Sequence, residues 1–365
     1  MNRVSSMHMP ELKNKPDLED SLNRIYAWFE GEVIDRPPVR FTAHNADFER
    51  AHRSQGRGWP NLRSRWFDAE YQVDDYRASV EGQVFLGETL PVFWPNLGPE
   101  VFAAFYGAEL TFGEVTSWSS PLILDWDQMD SLRLDMDGEF FKKLEELTSV
   151  ALEKADGWYL TGYTDLHGGV DIAAAWRDPQ QFCVDLITEP ERCRRLIALA
   201  ARDFQRVYDH FDAILKTHGQ LSVTWMGIPS FGKLHIPSCD FASMISPAMY
   251  REFCHPLLVE EVKAMTHNVY HLDGKGVARH LDLILSVPEI HAIQWVQGMG
   301  LDQPILQWVP LLRRIREAGK SLVVDLQLEE LEPFMDAIRP EGILLCLAAD
   351  ASLQPDILRR LEKWL

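Results

Sequence analysis

In the second half of the chain, short continuous apolar runs alternate with segments of helical spacing. Residues 158–163, 221–226, 292–296, 321–325 and 342–346 are such runs. Runs this short with no polar face predict strands buried on both sides, and therefore a parallel sheet. Between them, residues 190–217, 308–318, 328–338 and 355–365 repeat apolar positions with the period of a helix. Residues 257–269 read as a helix passing into a strand that ends in Tyr270-His271-Leu272-Asp273-Gly274-Lys275-Gly276. The first half is less regular. Residues 18–30 place Leu22, Ile25, Trp28 and Phe29 on one helical face. Pro37 and Pro38 stop that helix, and residues 39–41 begin a strand. Residues 90–94 read as a further strand, 99–106 and 139–156 as helices, and 111–124 as a loop–strand region.

About eight strands follow from this count. The expected fold is α/β, a (β/α)8 TIM barrel with an N-terminal helical extension. Residues 1–17 are expected to be a flexible leader, residues 18–365 a single barrel domain, and the arginine-rich stretch 50–65 a solvated loop. No Gly-x-Gly-x-x-Gly turn follows the first strand and no phosphate-cradling Gly-Lys-Ser/Thr loop occurs, which argues against a nucleotide-binding sheet.

Composition narrows the partners. With 36 basic and 55 acidic residues the formal net charge is −19. Such a surface repels nucleic acid and anionic membranes. No apolar run reaches the length of a membrane span, and residues 1–20 lack a signal-like apolar core. Five cysteines without a paired pattern predict a reduced, cytoplasmic protein.

In a barrel of this type the active site lies at the C-terminal strand ends, and those ends are rich in ionisable residues. His44 and Asp47 follow the first strand, and Asp165 and His167 follow the strand at 158–163. His235, Cys239 and Asp240 follow the strand at 221–226, and Cys346 closes the last one. His271 and Asp273 share one side of their strand because side chains alternate with period two. Imidazole, carboxylate and thiolate from His271, Asp273 and Cys346 suit three positions around zinc with a fourth left open. The plainer alternatives are an Asp273 that only caps the following segment and a Cys346 that is a small core residue. Asp273, Asp165 and His167 are the candidate acid–base residues. His44, Asp47, Tyr163, Trp225, His235 and Asp240 are the candidate substrate contacts.

At these residues the chain resembles the uroporphyrinogen decarboxylase superfamily. Asp240-Phe241-Ala242-Ser243-Met244-Ile245-Ser246-Pro247-Ala248-Met249-Tyr250-Arg251-Glu252-Phe253 is similar to the family's acidic loop and the Ser-Pro helix start after it. Asp35-Arg36-Pro37-Pro38-Val39 resembles the entry to its first strand, and Tyr270-His271-Leu272-Asp273-Gly274 sits where its methyltransferase branch carries His-x-Cys-Gly. The resemblance implies a barrel of the kind already inferred. The arginine-rich motif of true decarboxylases is replaced by Phe41-Thr42-Ala43-His44-Asn45-Ala46-Asp47, so the methyltransferase branch is the closer one. That branch implies zinc held by His271 and Cys346, a small-molecule substrate, and a methylated corrinoid carried by a partner protein. Asp273 stands where a cysteine is expected, and a harder carboxylate ligand favours an oxygen-bearing substrate over a thiol. The competing functions are a decarboxylase acting on a carboxylated substrate and a small-ligand-binding barrel without metal. A homodimer is the expected assembly.

Overall fold

The computed structural model describes residues 3–4, 7–42 and 58–365. Its strands are β1 (Val39–Thr42), β2 (Val92–Phe93), β3 (Leu110–Phe112), β4 (Ser117–Ser119), β5 (Leu160–Thr161), β6 (Leu234–His235), β7 (His267–Asp273), β8 (Ala292–Val296), β9 (Ser321–Leu326) and β10 (Ile343–Ala348). Six of them form one parallel sheet in the order β1-β10-β9-β8-β7-β6. The sheet is open and curls through about 200°, a half-barrel. The closed eight-stranded TIM barrel expected from the sequence is therefore not formed.

The missing side has a physical explanation. The apolar run at 221–226 is not a sheet strand. Ser222 and Ser230 exchange backbone hydrogen bonds of 2.9 and 2.8 Å as an isolated antiparallel bridge. The chain reverses between them at Gly227, whose φ of +65° suits a residue without a side chain. Ser222 thus spends both of its backbone groups on the return segment. β2 and β5 pair only with each other, through Val92–Leu160 and Phe93–Thr161. Residues flanking the pair make single backbone bonds to its surroundings, from Glu88 N to Val39 O at 2.7 Å and from Tyr163 N to Val223 O at 2.9 Å.

Alternation along the long strands sets the two faces of the sheet. Tyr270, Leu272, Ile293, Trp295, Leu322, Val324, Ile343, Leu345 and Leu347 pack outward in the large core beneath the helices. Val269, Ala292, Val323, Leu344 and Cys346 point the other way and form an inner floor with Ile25, Trp28 and Phe29 of the helix Leu18–Phe29. That helix closes the N-terminal end of the half-barrel. Trp28 Nε1 donates to the Leu322 carbonyl at 2.9 Å, and Ser321 Oγ donates to the Trp28 carbonyl at 2.5 Å. The inner face is therefore closed at the N-terminal strand ends.

Other departures are local. The helix expected over 190–217 breaks at Arg202–Asp203 into Pro190–Arg202 and Phe204–Thr217. Residues 62–66 and 69–80, the first of them inside the arginine-rich stretch, are helical. The described part of the expected leader is packed: Asn14 and Lys15 are buried, and Lys15 Nζ donates to the Gly87 carbonyl at 2.5 Å. Among the described residues no helix is long and apolar enough to cross a membrane.

Candidate metal centre and its surroundings

Above the apolar floor, the same inner face turns polar. His271 and Asp273 lie two and four residues beyond Val269 on β7, so alternation brings both to that face. Gln294 stands beside His271 on β8 in direct register. Its Oε1 accepts from His271 Nδ1 at 2.6 Å. This bond occupies Nδ1 and leaves Nε2 as the ring nitrogen available to a ligand.

Asp240 joins them from the 3-10 turn Asp240–Met244 that follows β6. The ligand atoms of Asp240, His271 and Asp273 lie within 4.8 Å of one another. Asp171 holds the turn in place: its two carboxylate oxygens accept from the backbone N–H groups of Asp240 and Phe241 at 3.1 and 2.9 Å. Burial pushes the Asp171 carboxyl up to about 6, with the Asp240 charge adding to it and the two N–H bonds opposing. Desolvation also raises Asp273, and the neighbouring Asp240 carboxylate raises it further. Two carboxylates are thus set against each other beside one imidazole with a free nitrogen. A divalent cation would relieve that repulsion, so the donor set fits a metal of hard or borderline character such as zinc.

Cys346 is not part of this group. It lies on β10 beside Asp325 and Arg40 of the adjoining strands, and its sulfur belongs to the inner apolar floor. Burial pushes its thiol up to about 12, aided by the Asp325 carboxylate. The Asp325 carboxyl is itself raised, by desolvation, against the pull of Arg40 and His271. Arg40, whose guanidinium sits over Gly227, supplies a cation to this side of the bowl.

A hydrogen-bonded chain leads away from the cluster. The Trp225 ring meets His271 edge-on with centroids 5.5 Å apart. Trp225 Nε1 donates to Asp165 Oδ1 at 3.0 Å, the oxygen that also pairs with His167 Nε2 at 3.0 Å. His167 Nδ1 is 2.9 Å from Ser238 Oγ. Burial alone would depress the His167 pKa, but Asp165, with Asp171 and Asp240 behind it, lifts it to about 9. His167 is therefore an imidazolium at neutral pH. It lines a cavity of about 290 Å³ together with Asp171, Ser238, Asp240 and Met244.

Asp165, His167, Trp225, Asp240, His271 and Asp273 thus form one neighbourhood. Tyr163 and His235 lie elsewhere. Tyr163 is buried with its hydroxyl donating to the Leu234 carbonyl at 2.8 Å, and buried His235 pairs with Glu261 at 2.5 Å. His44 and Asp47 fall outside the described residues. Sequence reasoning overlooked Gln294, Asp171 and Arg40 as parts of the site. The signal for Gln294 and Arg40 was a lone polar residue inside an apolar strand run, at a position that alternation turns inward.

No family model matches the chain, and no curated protein matches it either. Among solved structures, a methyltransferase from Methanosarcina mazei superimposes with a TM-score of 0.57 at 13% identity. The match covers 94% of this chain and 98% of that one. The fold is therefore that of a solved methyltransferase along nearly its whole length.

Proposed function

We propose that the protein is a metal-dependent, methyltransferase-like enzyme that moves a methyl group between a small oxygen-bearing molecule and a corrinoid carried by a partner protein. The observation that carries this reading is the convergence of Asp240, His271 and Asp273 at the open end of the half-barrel. The fold shared with the archaeal methyltransferase agrees with it. A bound divalent ion would act there as a Lewis acid on a substrate oxygen. With no thiolate in the cluster, such an ion keeps more of its acidity, which suits oxygen better than sulfur. The protein's own residues supply the rest. Gln294 orients His271, and Asp171 presents Asp240. An oxygen that loses its methyl group needs one proton, and His167 holds one beside Asp240 at neutral pH. A polycarboxylate substrate fits poorly, because Asp165, Asp240, Asp273 and Asp325 outnumber the cations Arg40 and His167 on this side.

Metal analysis after zinc reconstitution tests the proposal. About one divalent ion per chain is expected in the wild type, with loss in His271→Ala and Asp273→Asn. Absence of metal from the reconstituted wild type would overturn it. Demethylation of a methyl ether, followed with cob(I)alamin as acceptor, then tests the reaction itself.

A further inference from the structure

A second cavity of about 290 Å³ opens beside the cluster, with Asp165 in its wall. Trp66, Tyr71, Tyr76, Phe93 and Trp94 line it. Four of these rings are packed against others: Tyr71 on Trp59, Tyr76 on Phe93 and Tyr159, and Trp66 on Phe112. Trp94 differs. It is half-buried, and among the described residues its indole makes no ring contact and no hydrogen bond. An indole that lines a cavity and has no ring packed on it is suited to a flat guest.

The charges in the wall are already matched. Arg65 pairs with Glu114 at 2.7 Å, and Asp165 takes the His167 and Trp225 N–H groups. A cationic or anionic guest would have to displace one of these partners, whereas a neutral one would not. The volume lies at the small end of ligand pockets, which suits a single ring. Position connects the cavity to the cluster: Asp165 is one indole away from His271, through Trp225.

We propose that this cavity binds the ring of a neutral, single-ring methoxy-arene, stacked on Trp94, with its methoxy group directed toward Asp165 and Trp225. The assignment of this ligand as the methyl-bearing substrate rests on the function proposed above; its binding does not.

The test is a binding titration of the full chain, zinc-loaded and chelator-treated, followed by calorimetry. The probes are methoxybenzene, cyclohexyl methyl ether and benzyltrimethylammonium. Methoxybenzene is expected to bind about fivefold or more tighter than its saturated counterpart, an advantage of the size aromatic pairing confers. Trp94→Leu, which keeps an apolar side chain but removes the ring, is expected to abolish that preference while leaving the circular dichroism spectrum unchanged. Phe93→Leu serves as a second variant should Trp94→Leu misfold, and is expected to reduce the preference. Equal binding of the two ethers, tighter binding of the ammonium probe, or a preference untouched in folded Trp94→Leu (or, should that misfold, in Phe93→Leu) would overturn the proposal. Because binding is read without turnover and without metal, a failed methyl transfer leaves this result standing.

Discussion

His271 Nδ1 and Gln294 Oε1 are 2.6 Å apart across the β7–β8 ladder, and this contact occupies one nitrogen of the imidazole that neighbours Asp240 and Asp273. The amide oxygen can only accept, so Nδ1 is the donor in this bond and Nε2 is the nitrogen left for a metal. Gln294 is itself buried, which gives the bond little competition from water.

Replacing Gln294 by Leu should weaken metal binding without removing a ligand. The expected loss is about 10- to 100-fold in affinity, as for other partners that orient a ligating histidine. Competition with a chromogenic chelator reads it, and an unchanged affinity would show that the ring needs no such support.

The Asp165–His167 pair makes stability depend on pH with a defined sign. A histidine whose folded pKa is raised from about 6.5 to about 9 contributes its full stabilisation below pH 6.5 and loses it as pH rises through 9. The full contribution is about 3 kcal/mol. Chelator-treated wild type should therefore lose stability between pH 6.5 and 9 relative to His167→Gln, measured by urea unfolding. Parallel curves for the two proteins over that window would rule out the imidazolium, as would a titration of the His167 ring near 6.5 by NMR.

Much of this arrangement was legible in the sequence, for reasons particular to each part. β7 to β10 are long enough for their apolar runs to stand out, and alternation from Val269 correctly put His271 and Asp273 on one side. Asp240 was recognised at the rim but not as a companion of His271, because only the three-dimensional path of the turn after β6 brings it there. β2 and β5 are the two-residue remnants of the longer strands expected at 90–94 and 158–163, whereas β6, also two residues long, is too short to carry a pattern of its own. The run at 221–226 misled for a different reason. Its apolar residues are buried as in a strand, yet Gly227 turns the chain back so that Ser222 pairs with Ser230. Hydrophobicity reports burial, whereas sheet membership depends on where the backbone groups find partners.

Entry into β1 depends on a buried ion pair. Glu88 is fully buried and receives both Arg36 nitrogens, at 2.8 and 2.9 Å, and the Val39 backbone N–H at 2.7 Å. Glu88→Ala leaves Arg36 charged and unpaired in the interior, at an expected cost of about 3–5 kcal/mol. The double variant Glu88→Leu with Arg36→Met should cost much less, since Arg36 is no longer stranded and the neighbouring Arg24 and Lys15 keep Asp35 and Asp17. Chemical denaturation compares the two, and equal losses would mean that the Val39 bond, not the ion pair, dominates.

Cys346 offers the sharpest division between a sulfur-ligated metal and the carboxylate–imidazole cluster described above. Its thiol is almost fully enclosed, packs among Val323, Leu344 and Trp28, and is held protonated by burial and by Asp325. Among the described residues the side chains that converge at ligand distance are Asp240, His271 and Asp273, and the Cys346 sulfur sits in the apolar floor instead. Cys346→Ala should therefore leave the metal content and affinity of the protein unchanged. It should also lower stability by about 1–2 kcal/mol, the size expected for removing a small buried side chain. Native Cys346 should resist alkylation at pH 8, while half-exposed Cys183 reacts. Loss of bound zinc in Cys346→Ala, with folding intact, would return the sulfur to the coordination sphere and displace Asp240 from it.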